Sequence, residues 1–225
     1  MAVTAPAPRV LADVLPRSAA RDALLIIGAA CFVGLAAQIS IPLPFTPVPL
    51  TAQTFAVLLA GAALGSIRGI LSMLLYAVVG LIGVPWFAEG SSGFSMPSFG
   101  YIVGFIAGAG LVGWLAERGW TRTPIDMALA MVLGNVVVYA IGVPWLKVAM
   151  GTTWAGAVQM GMTPFLIGDG LKIALAAGIF PLVWRTLSRR GLAPRADGGE
   201  SVIDLTDGTA ERSDDSSSET ASDKS

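Results

Sequence analysis

Long apolar runs, interrupted at intervals by arginine, glycine and proline, set the plan of this chain. Between Asp22 and Arg68 no side chain is charged, and similar stretches recur to residue 187. A helix needs about 20 predominantly apolar residues to cross a hydrocarbon core roughly 30 Å thick. The runs predict six transmembrane helices, near 23–41, 51–66, 68–84, 100–116, 126–146 and 164–187. Spans two and three are separated only by Gly65-Ser66-Ile67-Arg68-Gly69, which reads as a tight hairpin. Residues 85–99, with Gly90, Ser91, Ser92 and Gly93 at their centre, and 147–163, which include Trp154, read as longer connections.

Composition moves this pattern into a membrane. Hydrophobic residues make up 54% of the 225 and the mean hydropathy is +0.72. A soluble fold of this length would carry far more surface Lys and Glu. The chain reads as an all-α integral membrane protein.

The net charge of −1 conceals a split, because residues 196–225 hold nine acids and two bases, leaving six acids and twelve bases before them. Rich in Ser, Asp and Gly and without an aromatic residue, the stretch 191–225 reads as a disordered acidic tail. Residues 1–22 read as an N-terminal segment and 23–190 as the membrane domain. Arg9, Arg17, Arg21, Arg68, Arg118, Arg122, Arg185, Arg189, Arg190 and Arg195 fall on one side of the predicted topology, against Lys147 alone on the other. By the positive-inside rule both termini are cytoplasmic, and the loops 42–50, 85–99 and 147–163 face outward.

Absences narrow the chemistry. The chain has no His, and its single cysteine, Cys31, lies in the first apolar run, where apolar packing is the expected role. Cys/His zinc sites and His-dependent triads are excluded within the chain. Without a G-x-x-x-x-G-K-[ST] stretch it is no ATP-driven motor by itself. The first 22 residues lack the compact apolar core and cleavage site of a signal peptide. No cofactor, metal site or nucleic-acid contact is expected.

Asp169 and Lys172 are the chemical exception. The run 163–180 carries no other charge, and an ionisable group near the bilayer centre costs roughly 2.5–3.5 kcal/mol on insertion scales. Spacing i, i+3 puts both on one helix face, which offers a small polar anion an acceptor and a cationic donor together. A mutually neutralised ion pair, or Asp169 as an N-cap, is the plainer alternative. With Thr163 as cap and Pro164 first in the helix, Asp169 lies about 7–8 Å and Lys172 about 12 Å down it. Both then belong to the outer half. Gly168 and Gly170 equally allow a helix start at Asp169.

The first outward loop has prolines at 42, 44, 47 and 49, a composition that favours stiff, extended backbone. It is suited to one wall of a pocket, or to a plain spacer. Small residues recur at four-residue spacing at Gly61 and Gly65, at Gly100, Gly104 and Gly108, and at Ala30 and Gly34. Such stripes permit close helix approach in lipid. Their ordinary meaning is packing within the bundle; for Ala30 and Gly34 the alternative is a face for another membrane protein.

Four separated stretches carry a family resemblance. They are Gln38–Thr54, Leu59–Gly65, Gly100–Phe105 and Pro164–Lys172. In order and spacing they resemble BioY, the biotin-specific substrate-binding (S) component of energy-coupling factor (ECF) transporters, over roughly residues 23–190. The resemblance implies a six-helix protein that binds biotin from outside. It also implies partners, namely a transmembrane coupling protein and two cytoplasmic ATPases. On that basis Asp169 and Lys172 are the principal ligand contacts, and Ala30 with Gly34 is the nearest fit to the family's docking motif. By aromatic type Phe45, Trp86 and Tyr101 are candidate walls, with Gln53 and Tyr101 as further polar contacts and Glu89 as another pocket candidate. Biotin's carboxylate, ureido group and apolar bicycle suit a site with a cation, an acceptor and aromatic walls.

Other classes fit less well. An intramembrane enzyme would need more than one polar pair, and a scaffold would not need a stiff loop facing buried charge. An S component for another small carboxylate vitamin is the alternative within the class. Self-association is left open.

Overall fold

The computed structural model describes residues 9–16 and 18–192. Seven α-helices occur among them: α1 (Ala19–Gln38), α2 (Gln53–Leu64), α3 (Ser66–Leu81), α4 (Phe99–Ala116), α5 (Pro124–Met150), α6 (Trp154–Gly161) and α7 (Leu166–Arg189). Two short strands, β1 (Ser40–Ile41) and β2 (Leu50–Thr51), pair antiparallel, with Ser40 opposite Thr51. The tail expected at 191–225 lies outside the described residues from position 193 onward.

Helix α4 is the central column, packed on α2, α3 and α5. Its glycines make this possible: a Cβ at Gly104 would stand 2.9 Å from the Val138 carbonyl oxygen on α5. Dispersion between closely approaching backbones substitutes in lipid for the missing hydrophobic drive. The stripe on α4 therefore packs inside the bundle. The outward surface is apolar, with Leu24, Leu35, Ile167 and Val148 largely exposed. A soluble monomer rarely presents such continuous apolar area.

Helices α1, α4 and α5, and the stretch from α6 through α7, are long and apolar enough to cross a membrane. Helix α2 has 12 residues and α3 has 16, so they reach only about 18 and 24 Å. Gly65 limits α2. Its φ of 87° turns the chain directly into α3, a conformation open to glycine at little cost. The first N–H of α3, from Ser66, donates to Glu117 Oε1 at 2.7 Å, so a carboxylate from the end of α4 caps it.

The connection expected at 147–163 is instead largely helical. Helix α5 continues through Lys147 to Met150 and stops at left-handed Gly151, after which Thr153 caps α6 by accepting from Gly156 N. Lys147 thus lies in the last turn of α5 rather than in a loop, with its ammonium 5.2 Å from the Trp154 ring centre.

Ion pairs gather one end of the bundle. Arg68 reaches Asp13 at 3.5 Å and Asp22 at 3.1 Å, tying the N-terminal segment and α1 to the α2–α3 turn. Trp184 near the end of α7 donates to Thr121 at 3.0 Å. Arg118 and Arg122 after α4, and Arg185, Arg189 and Arg190 at the end of α7, therefore share an end with Arg68. Thr46, Trp86 and Met160 belong to the opposite end.

Candidate functional site

At that opposite end the chain leaves α1, forms the β1–β2 pair and enters α2. The four prolines at 42, 44, 47 and 49 lie between the two strands, where missing N–H groups cost no ladder bond. Thr46 Oγ1 donates to the Met160 carbonyl at 2.8 Å, pinning the loop to α6. Beneath it opens a cavity of about 530 Å³, mouth included.

Its polar wall is built on α7, α5 and α2. A short 3-10 turn at Thr163–Phe165 precedes α7, so Asp169 stands in the first turn of α7. It is neither an N-cap nor the helix start. Asp169 is 4% exposed. Lys172 Nζ lies 3.3 Å from Asp169 Oδ1 and 2.8 Å from Thr54 Oγ1. Tyr139 on α5 donates its hydroxyl proton to Asp169 Oδ2. A buried charge is tolerated when paired and hydrogen-bonded, and here both carboxylate oxygens are engaged.

Gln53 also lines the cavity; its amide donates to Tyr76 at 2.7 Å. Tyr101 lines it as well, while its hydroxyl donates to the Gly161 carbonyl at 2.8 Å. Val48, Pro49, Ile102, Phe105 and Phe165 make the rest apolar. Apolar walls with a few convergent polar groups are the usual form of a small-molecule site.

The structure brings Asp169, Lys172, Gln53 and Tyr101 together. It does not bring Phe45, Trp86 or Glu89 to this cavity. Phe45 is 62% exposed in the proline loop. The Trp86 ring is stacked near Tyr76 at 5.1 Å between centres, and its indole donates to the Tyr76 carbonyl at 3.0 Å. Glu89 is exposed in a 3-10 turn with φ 59°.

Ala30 and Gly34 face inward. Ala30 is 1% exposed, and a Cβ on Gly34 would meet the Trp86 ring at 3.0 Å. The stripe serves intramolecular packing, and these two residues present no outward face. Cys31 is a free thiol exposed on the outer side of α1. Sequence reasoning missed Thr54 and Tyr139, the two side chains bonded to the Asp169–Lys172 pair.

Apolar outer surface, closely packed helices and a buried, neutralised ion pair beside a cavity together define a polytopic membrane protein with an internal cavity. The chain belongs to the BioY family, whose sequence model matches residues 9–189. It is 36% identical over 168 residues to the biotin transporter BioY of Rhizobium etli, covering 70% of this chain and 89% of that one. It is likewise 36% identical over 159 residues to the biotin transporter BioY of Thermotoga maritima, covering 69% and 86%. The fold matches the crystal structure of an S component for biotin from an ECF-type ABC transporter. That match has a TM-score of 0.67 and 22% identity, over 76% of this chain and 95% of that one.

Proposed function

We propose that this chain takes up biotin as the substrate-binding component of an ECF-type transporter, with Asp169, Lys172, Gln53 and Tyr101 in its binding site. The supporting observation is the paired charge of Asp169 and Lys172 buried beside an otherwise apolar cavity. Asp169 accepts from a ureido N–H, and Lys172 donates to an oxygen of the ligand; the apolar residues enclose the bicycle and alkyl chain. The protein is a transport component and performs no chemical conversion.

Six helices cross the cytoplasmic membrane in this reading, the short α2 and α3 included. The ion-paired, arginine-rich end faces the cytoplasm and the proline loop faces outward, in keeping with the positive-inside rule. Both termini are then cytoplasmic. A transmembrane coupling protein and two ATPases supply the work of transport.

Direct titration of the detergent-purified chain with biotin tests this reading. One-to-one saturable binding with the ligand recovered unchanged is the expected result. Absence of binding, or chemical change of the ligand, overturns it.

A further inference from the structure

Tyr139 lies in an apolar stretch of α5, where Val136 to Gly142 include no other polar side chain. Its hydroxyl nevertheless meets Asp169 Oδ2, while Lys172 Nζ stands 3.3 Å from Oδ1. The two oxygens are held from two different helices. This matters because the terminal torsion of an aspartate is soft and roughly two-fold. Lys172, on a flexible stem one turn away along the same helix, fixes one oxygen only. The Tyr139 ring is a rigid arm from the adjoining helix α5 and fixes the other.

The arm itself is braced. The rings of Tyr139 and Tyr101 meet edge to face, 6.4 Å between centres at 87°. Tyr101 is anchored by its bond to the Gly161 carbonyl, and its ring lies against Gly142, where any Cβ would overlap it. A carboxylate has about four acceptor positions, so engagement by Tyr139 and Lys172 leaves lone pairs whose direction the carboxylate plane dictates.

We propose that Tyr139 is a positioning residue. It sets the plane of the Asp169 carboxylate so that the remaining lone pairs point at ligand N–H donors. The inference rests on the biotin-binding reading above and concerns how Asp169 is made selective. A ligand with two N–H groups on a rigid ring gains from a fixed carboxylate plane; one without such donors does not.

The test uses the full chain in detergent, titrated calorimetrically with biotin and with a cyclic carbonate analogue in which oxygen replaces both ring N–H groups. Tyr139→Phe keeps the ring and its contact with Tyr101, and thermal unfolding checks the fold. Tyr139→Phe is expected to weaken biotin binding by about tenfold, as a ligand N–H bond to the charged carboxylate loses its alignment. Affinity for the carbonate analogue should stay within about twofold, so discrimination between the two ligands narrows. In an Asp169→Asn background the same substitution should change biotin affinity by less than about twofold, because coupled residues are non-additive. Equal losses for both ligands, equal losses in both backgrounds, or no loss at all overturns the positioning role. Wild-type protein that fails to bind biotin overturns the functional reading as well. Wild-type binding with an uncoupled Tyr139 overturns this inference alone.

Discussion

Lys172 on α7 reaches Thr54 on α2, its ammonium 2.8 Å from the threonine hydroxyl, while remaining 3.3 Å from its own-helix partner Asp169. One side chain thus joins two helices and neutralises a buried charge. Replacing it removes a charge-assisted bond in a desolvated setting, worth about 1.5–3 kcal/mol. Lys172→Ala should therefore weaken biotin binding by at least about tenfold. Isothermal titration of the folded variant checks this, and unchanged affinity would rule Lys172 out as a contact.

Thr46→Val removes the hydroxyl that joins the proline loop to the Met160 carbonyl and that also accepts from Val48 N at 3.1 Å. The net loss should be about 0.5–1.5 kcal/mol per bond. Faster proteolysis within residues 42–49 and a several-fold drop in biotin affinity are expected. A loop as protected as in the wild type would show that this anchor contributes nothing.

Gly34 and Gly28 lie on different sides of α1. The first touches the Trp86 ring, while a Cβ on the second would meet nothing within 4 Å. Gly34→Leu should lower thermal stability by about 1–3 kcal/mol through overpacking and reduce biotin binding by the isolated chain. Gly28→Leu should leave both unchanged. Melting curves and titrations on the pair decide the matter; similar behaviour of the two variants would contradict the inward facing of Gly34.

A chain ended at Leu192 lacks the acidic tail. That segment is too polar to bury an apolar core of its own, and the proposed site lies at the other end of the bundle. Its biotin affinity should equal that of the full chain. A large loss on truncation would show that the tail supports the membrane domain.

The membrane character, most helix positions and the ion pair were legible because each departs from soluble chemistry in a way one residue at a time can show. Asp169 and Lys172 stand out as the charges of an apolar run, and Gln53 adjoins the proline loop. Tyr139 carries no such mark: a tyrosine within Val, Ala and Ile is ordinary in a span, and only its position across from α7 gives its hydroxyl a task. Phe45 and Trp86 lie away from this cavity for the opposite reason. Aromatic type suggested a pocket, but the loop leaves Phe45 exposed, and Gly34 provides the space that Trp86 fills. Helix α6 was hidden by reading 147–163 as one connection. The stop at Gly151 and the cap at Thr153 were both present as residue types, yet eight residues is too short for a periodic apolar stripe to assert itself.

The four prolines of the loop also bear on where ordering entropy is spent. Each fixes one backbone torsion already in the unfolded chain, the strand pair holds the ends of the loop, and Thr46 holds its middle. The freedom lost in shaping that wall is therefore given up when the protein folds, not when a solute arrives. Association then costs less conformational entropy than it would against a flexible loop. The corresponding gain appears as tighter capture at low solute concentration without any additional contact.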